Sequence, residues 1–112
     1  MNAARLEQLD FESLASLVKT KFRVWVGANG ALELELYEAT PPRTTRAGSG
    51  SEAGYESFSL LFLGPADRLL PQGSYAFECE QVGRFDLFIV PIGRDAGGVR
   101  YEATFNRLIR SI

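Results

Sequence analysis

Apolar and polar residues alternate at a period of two along most of this sequence, in short runs punctuated by glycine, proline and Asn-Gly. An extended backbone sends successive side chains to opposite sides, so this pattern describes strands with one face inward. In 21–26, Phe22, Val24 and Val26 share one face and Lys21, Arg23 and Trp25 the other. Gly27-Ala28-Asn29-Gly30 then marks a hairpin turn, because Asn-Gly supplies the positive φ that a tight turn needs. The chain returns over 31–38 with Leu32, Leu34 and Leu36 inward and Glu33, Glu35 and Glu38 mostly outward. That hairpin brings Lys21 and Arg23 near Glu33 and Glu35, a cross-strand charge match of about 0.2–1 kcal/mol per pair.

Four further strands follow from the same reading. Tyr55 to Leu63 is apolar on both faces towards its end and stops at Gly64-Pro65. Pro71-Gln72-Gly73 has the residues of a type II turn and leads into 75–80. The segment 84–92 is the most apolar and reads as a central strand until Pro91. Residues 99–105 alternate again, and the apolar tail 106–112 either extends that strand or forms a helical turn. Short turns join these runs, and strands joined by short turns pair antiparallel. Near the start, Leu6, Leu9, Leu14, Leu17 and Val18 recur at helical spacing, and Asp10 with Ser13 offers an N-cap. The expected fold is mainly β: a small six-stranded antiparallel barrel or sandwich with one short N-terminal helix over about 11–18. Residues 40–54, rich in Gly, Ser, Thr and Pro, read as a mobile loop inside one domain spanning 1–112.

Composition excludes several function classes. The 112 residues include no histidine, which removes Ser-His-Asp and Cys-His nucleophile systems and most zinc and iron sites. The 12 basic and 14 acidic residues give a net charge of −2, and neither half of the chain is markedly basic. Nucleic-acid binding through phosphate contacts is therefore not expected. The lone Cys79 has no internal disulfide partner. The longest uncharged run, 57–66, is about half of a spanning helix, and the first residues contain no apolar signal core. A soluble, cytoplasmic protein without membrane contact is the expectation.

Candidate chemical groups weigh towards structural roles. Cys79 alternates with Tyr75 and Phe77, and Glu78 and Glu80 beside it would oppose a thiolate, so it reads as core. Glu78, Glu80 and Asp86 could converge across a hairpin as glycosidase carboxylates do, but alternation puts them on a solvated outer face with Arg84. Glu33, Glu35 and Glu38 are spread along a strand rather than converging on a metal ion. No catalytic residue, metal ligand or cofactor is expected. Trp25, with Lys21 and Arg23, lies opposite the core set. It is either covered by the helix or the 40–54 loop, or exposed as an anchor for a partner. The tail residues Leu108, Ile109 and Ile112 pose the same choice.

The series Phe58-Ser59-Leu60-Leu61-Phe62 with Gly64-Pro65, Leu70-Pro71-Gln72-Gly73-Ser74-Tyr75, Phe85 to Pro91 with Gly93 and Asp95, and Tyr101-Glu102-Ala103 with Phe105-Asn106 resembles a known family. So does 11–24 followed by Leu32-Glu33-Leu34. The family consists of short bacterial proteins known only as a domain of unknown function, often encoded near phage-tail-like collar proteins. The resemblance implies a role in or beside a tail-derived assembly and carries no catalytic residues. The expected function is a non-enzymatic structural or protein-interaction module that associates with itself or with a protein partner. The alternative is a small-ligand-binding barrel whose cavity Phe62, Tyr75, Phe77, Phe88, Tyr101 and Phe105 would line.

Overall fold

The computed structural model describes residues 11–27, 30–46 and 53–110; at 44–46, 53, 55 and 107–110 only the backbone is described. The elements run α1 (Phe11–Ala15), β1 (Lys21–Trp25), β2 (Ala31–Ala39), β3 (Arg43–Arg46), β4 (Ala53–Gly64), β5 (Gly73–Cys79), β6 (Gly83–Asp95) and β7 (Gly98–Arg110). The sheet order is β2-β1-β5-β6-β7-β4-β3, and β2 also pairs with β4. That extra pairing closes six antiparallel strands into a barrel, as alternation and short turns led us to expect.

The first hairpin has the expected register, with Lys21 opposite Glu35 and Arg23 opposite Glu33. Phe22, Val24, Leu34 and Leu36 are buried, and Val26 and Leu32 pack against the core from its margin. Inside the cylinder the aromatic rings touch one another. Phe22 lies 5.7 Å from Phe62, 6.2 Å from Phe77 and 5.9 Å from Phe85, between ring centroids. Phe62 and Phe77 are 5.2 Å apart. Side chains thus fill the space between the strands, as in other small barrels.

Each end of the barrel has its own cover. At one end Phe11 of α1 meets Phe58 edge-on at 5.3 Å, and Phe58 stacks on Phe105 at 4.8 Å. Leu14 and Leu17 are buried beside them. At the other end Leu70 is buried, and its N–H donates to the Tyr101 hydroxyl at 2.9 Å. Gly64 and Gly98 face each other near this end. A methyl on Gly98 would run into the Gly64 carbonyl oxygen, and one on Gly64 into Leu34.

Three local expectations need correction. The helix is shorter than 11–18. After Ala15 the bonds Leu17 N–H to Leu14 C=O and Val18 N–H to Ala15 C=O tighten the turn, and Lys19 takes a positive φ of 79°. Lys19 N–H then goes to Leu36 C=O, diverting the chain into β1. The expected N-cap Asp10 lies outside the described residues. The second correction concerns 40–54, which is not all loop. Pro41 and Pro42 lack N–H groups and interrupt the ladder, yet Arg43–Arg46 resumes it as β3, along the same edge of β4 that β2 uses. Thr40 bridges the interruption, its N–H and hydroxyl both donating to Ser59 C=O. Third, Pro91 does not end its strand. The register shifts between Pro91 and Gly93, and this bulge at Ile92 lets β6 continue to Asp95. Of the two readings of the tail, strand extension holds: residues 106–110 continue β7.

Candidate interaction surface

Trp25 stands on the outer face of β1, half-buried. Neither α1 nor β3 pairs with β1; among the described residues, what lies against the indole comes from neighbouring strands. The register places Ala31 of β2 on one side of Trp25 and Ala76 of β5 on the other. With only methyl groups directly beside it in the row, the indole meets two guanidinium groups instead. The Arg23 guanidinium carbon is 5.9 Å from the ring centroid and that of Arg84 is 5.2 Å away. Cation–π contacts of this kind contribute about 0.5–1 kcal/mol at exposed sites. The indole Nε1–H is buried and has no acceptor among the described residues.

The neighbouring row alternates in charge. Glu33, Arg23, Glu78 and Arg84 follow one another across β2, β1, β5 and β6. Lys21 reaches diagonally to Glu33 at 3.9 Å. Among the described residues, Arg23 and Arg84 have no carboxylate within ion-pair distance, although Glu78 stands between them in register. Beyond the Arg23–Glu78 pair β1 and β5 part, and an open groove of about 710 Å³ lies there, lined among others by Lys19, Lys21, Glu78 and Glu80.

A second feature is an unpaired strand edge. β6 and β7 pair from Asp95–Gly98 to Val90–Glu102 and then separate. From Ala103 to Arg110, β7 pairs with β4 alone among the described residues, while β6 from Gly83 to Ile89 pairs with β5 alone. Strands β3, β4 and β7 thereby form a three-stranded ribbon continuing past the barrel. Near its root, Ser57 Oγ–H donates to Asn106 Oδ1 at 2.5 Å.

The other sequence candidates fall as follows. Lys21 and Arg23 are exposed on the same outer face as Trp25. Leu108 and Ile109 occupy β7 positions opposite Tyr55 and Gly54, with only their backbone described, and Ile112 is outside the described residues. Arg84 completes the pair of cations around Trp25, but sequence reasoning missed it as a contact because the order of non-adjacent strands was not readable. Cys79 is buried in the core. Glu78 opposes Arg84 and Asp86 opposes Ala76, so the two carboxylates are not partners across the hairpin. Phe62, Phe77 and Tyr101 point inward as the ligand-barrel alternative requires, but the two phenylalanines contact each other rather than framing a cavity. Phe88 faces outward, 51% exposed, because Phe85, Leu87 and Ile89 take the inward positions of β6. Ile92, thrown out by the bulge, is exposed on the same strand. Among the described residues, no three Cys, Asp or Glu side chains gather where they could hold a metal ion. No described helix is long and apolar enough to cross a membrane.

Fold and surface together define a small closed antiparallel β-barrel with a charged aromatic outer face and a projecting ribbon. The chain belongs to the family described as "Domain of unknown function (DUF6916)", which it matches over residues 9–105. Comparisons with curated proteins and with solved structures each returned no match.

Proposed function

We propose that this protein is a non-enzymatic interaction module that joins its partner by strand addition at the free edge of β7. The observation that carries the reading is the parting of β6 from β7 after Val90–Glu102, beyond which 106–110 pair with β4 alone among the described residues. Such an edge presents a row of backbone donors and acceptors, and an incoming strand satisfies them while its side chains set specificity. The outward Phe88 and Ile92 on β6 add apolar surface to the same barrel. The resemblance to a family often encoded near phage-tail-like collar proteins supports a partner in or beside a tail-derived assembly. The filled interior supports a scaffold over a small-ligand carrier.

The test uses proline. Successive N–H groups along a strand point to opposite edges, so of Asn106→Pro and Arg107→Pro one removes a donor from the β4 ladder and the other only from the free edge. Thermal melts tell them apart. Light scattering after size exclusion, and capture of proteins encoded beside the gene, are then run on the wild type and on the variant that keeps its melting temperature. Loss of self-association or capture in that variant supports edge pairing. Unchanged association, or a strict monomer that captures nothing, refutes it.

A further inference from the structure

We propose that Arg23, Trp25 and Arg84 form a second docking point, independent of the β7 edge, that takes the carboxylates of an acidic, extended segment of a partner protein. This face carries an excess of donors. Each guanidinium lies near the indole, and a guanidinium stacked on an aromatic face keeps its planar fork free to bind a carboxylate in bidentate fashion. Neither arginine has an ion-pair partner among the described residues, and both are exposed on the outer face. The two exposed guanidinium groups therefore share one need: an oxygen acceptor.

The surroundings narrow the class. Arg23 is on β1 and Arg84 on β6, with β5 between them. Two strand spacings amount to roughly 9.5 Å, about the distance over which an extended segment in the polyproline II conformation returns to the same face after three residues. Two acidic side chains three positions apart fit that separation. Glu78 lies between the two arginines and Glu33 flanks Arg23, so the row is minus, plus, minus, plus. A continuous polyanion would meet Glu33 and Glu78 and be repelled. A segment with a basic residue between its two acidic ones complements the row.

Trp25 is the only tryptophan, so its emission reports directly on this site. The probe is a capped eight-residue peptide with two glutamates three positions apart and a lysine between them. It is titrated into the full chain alongside the same peptide carrying glutamines and inorganic phosphate at matched ionic strength. Calorimetry runs in parallel as a readout that does not depend on emission. The expected result is saturable binding of the acidic peptide, at least tenfold weaker in Arg84→Gln and in Arg23→Gln, intermediate in Arg84→Lys, and absent for the glutamine peptide. Melting curves establish that these surface variants stay folded. No saturable binding, an equal response to the glutamine peptide or to phosphate, or full affinity in Arg84→Gln would overturn the assignment. Because the β7 edge is untouched in these variants, that failure leaves the edge-pairing test standing.

Discussion

Tyr101→Phe isolates one hydroxyl at the mouth of the barrel. The ring is fully buried, and its oxygen accepts the Leu70 N–H at 2.9 Å. It also faces the Arg68 carbonyl at 3.5 Å, too long for a strong bond. Removing the oxygen leaves the Leu70 N–H without that acceptor at a position that is itself buried. An unsatisfied buried donor costs about 1–3 kcal/mol. With an unfolding entropy of about 2.1 cal/mol/K per residue, each kcal/mol in a chain of this size lowers Tm by about 4 °C, so the expected fall is about 4–12 °C. Tyr75→Phe is the control. Its hydroxyl donates to the Pro71 carbonyl at 2.6 Å in an exposed setting, where water replaces it. The loss there is about 0.5 kcal/mol. Calorimetry and urea denaturation at neutral pH measure both. Equal losses in the two variants would refute the claim that burial of the Leu70 N–H sets the cost. The pH dependence gives a second check. Burial raises the Tyr101 pKa above the ordinary 10.0, while the Leu70 N–H bond pulls the other way. The native state therefore holds this proton more tightly than the unfolded chain does. Its contribution is complete below pH about 10 and is lost as pH rises through the native pKa. The alkaline limb of the stability curve should be shallower in Tyr101→Phe.

Three further outcomes follow from the geometry. Gly98→Ala should destabilise more than Gly27→Ala. Both have positive φ, 141° and 53°, a strain of roughly 1–3 kcal/mol, but a Gly98 methyl also strikes the Gly64 carbonyl while one on Gly27 meets open space. Equal midpoints in urea would contradict this. Phe22→Ala removes the ring that contacts Phe62, Phe77 and Phe85 and should cost about 3–5 kcal/mol by denaturant unfolding. A loss under 1 kcal/mol would show that the interior is not close-packed there. Asp95 accepts the Gly97 N–H and pairs with Arg100, which together hold its carboxyl below 3.8. Its NMR titration midpoint should therefore lie below that of a free aspartate, and Arg100→Gln should move it upward.

The strands were legible because burial forces alternation: Phe22 and Val24 against Lys21 and Arg23, or Phe85 and Leu87 against Arg84 and Asp86, leave little choice of face. The mainly β, antiparallel architecture followed from those runs and their short turns, whereas the choice of a closed barrel over a sandwich rested on the β2–β4 pairing. What stayed hidden was set by partners distant in the chain. β3 looked like loop because Pro41-Pro42 and a polar composition mask a strand whose ladder is supplied by β4. The passage through Pro91 depended on a bulge at Ile92, which the sequence does not announce. The candidate site was half visible. Trp25, Lys21 and Arg23 sit on one strand and declared a common face, but Arg84 joins them only through the order β1-β5-β6. Phe88 was misassigned to the interior because an apolar run on both faces gives no phase of its own.

The way the cylinder is shut has a kinetic corollary. The β1–β2 hairpin forms locally, but both of its outward sides are satisfied only by late-arriving chain, β4 on one flank and β5 on the other. During synthesis it emerges with two bare flanks and must wait. Assembly dominated by such remote pairings runs on the order of milliseconds to seconds rather than microseconds, and a fragment ending after β4 would lack the strand that seals β1, leaving an open sheet in place of a smaller barrel.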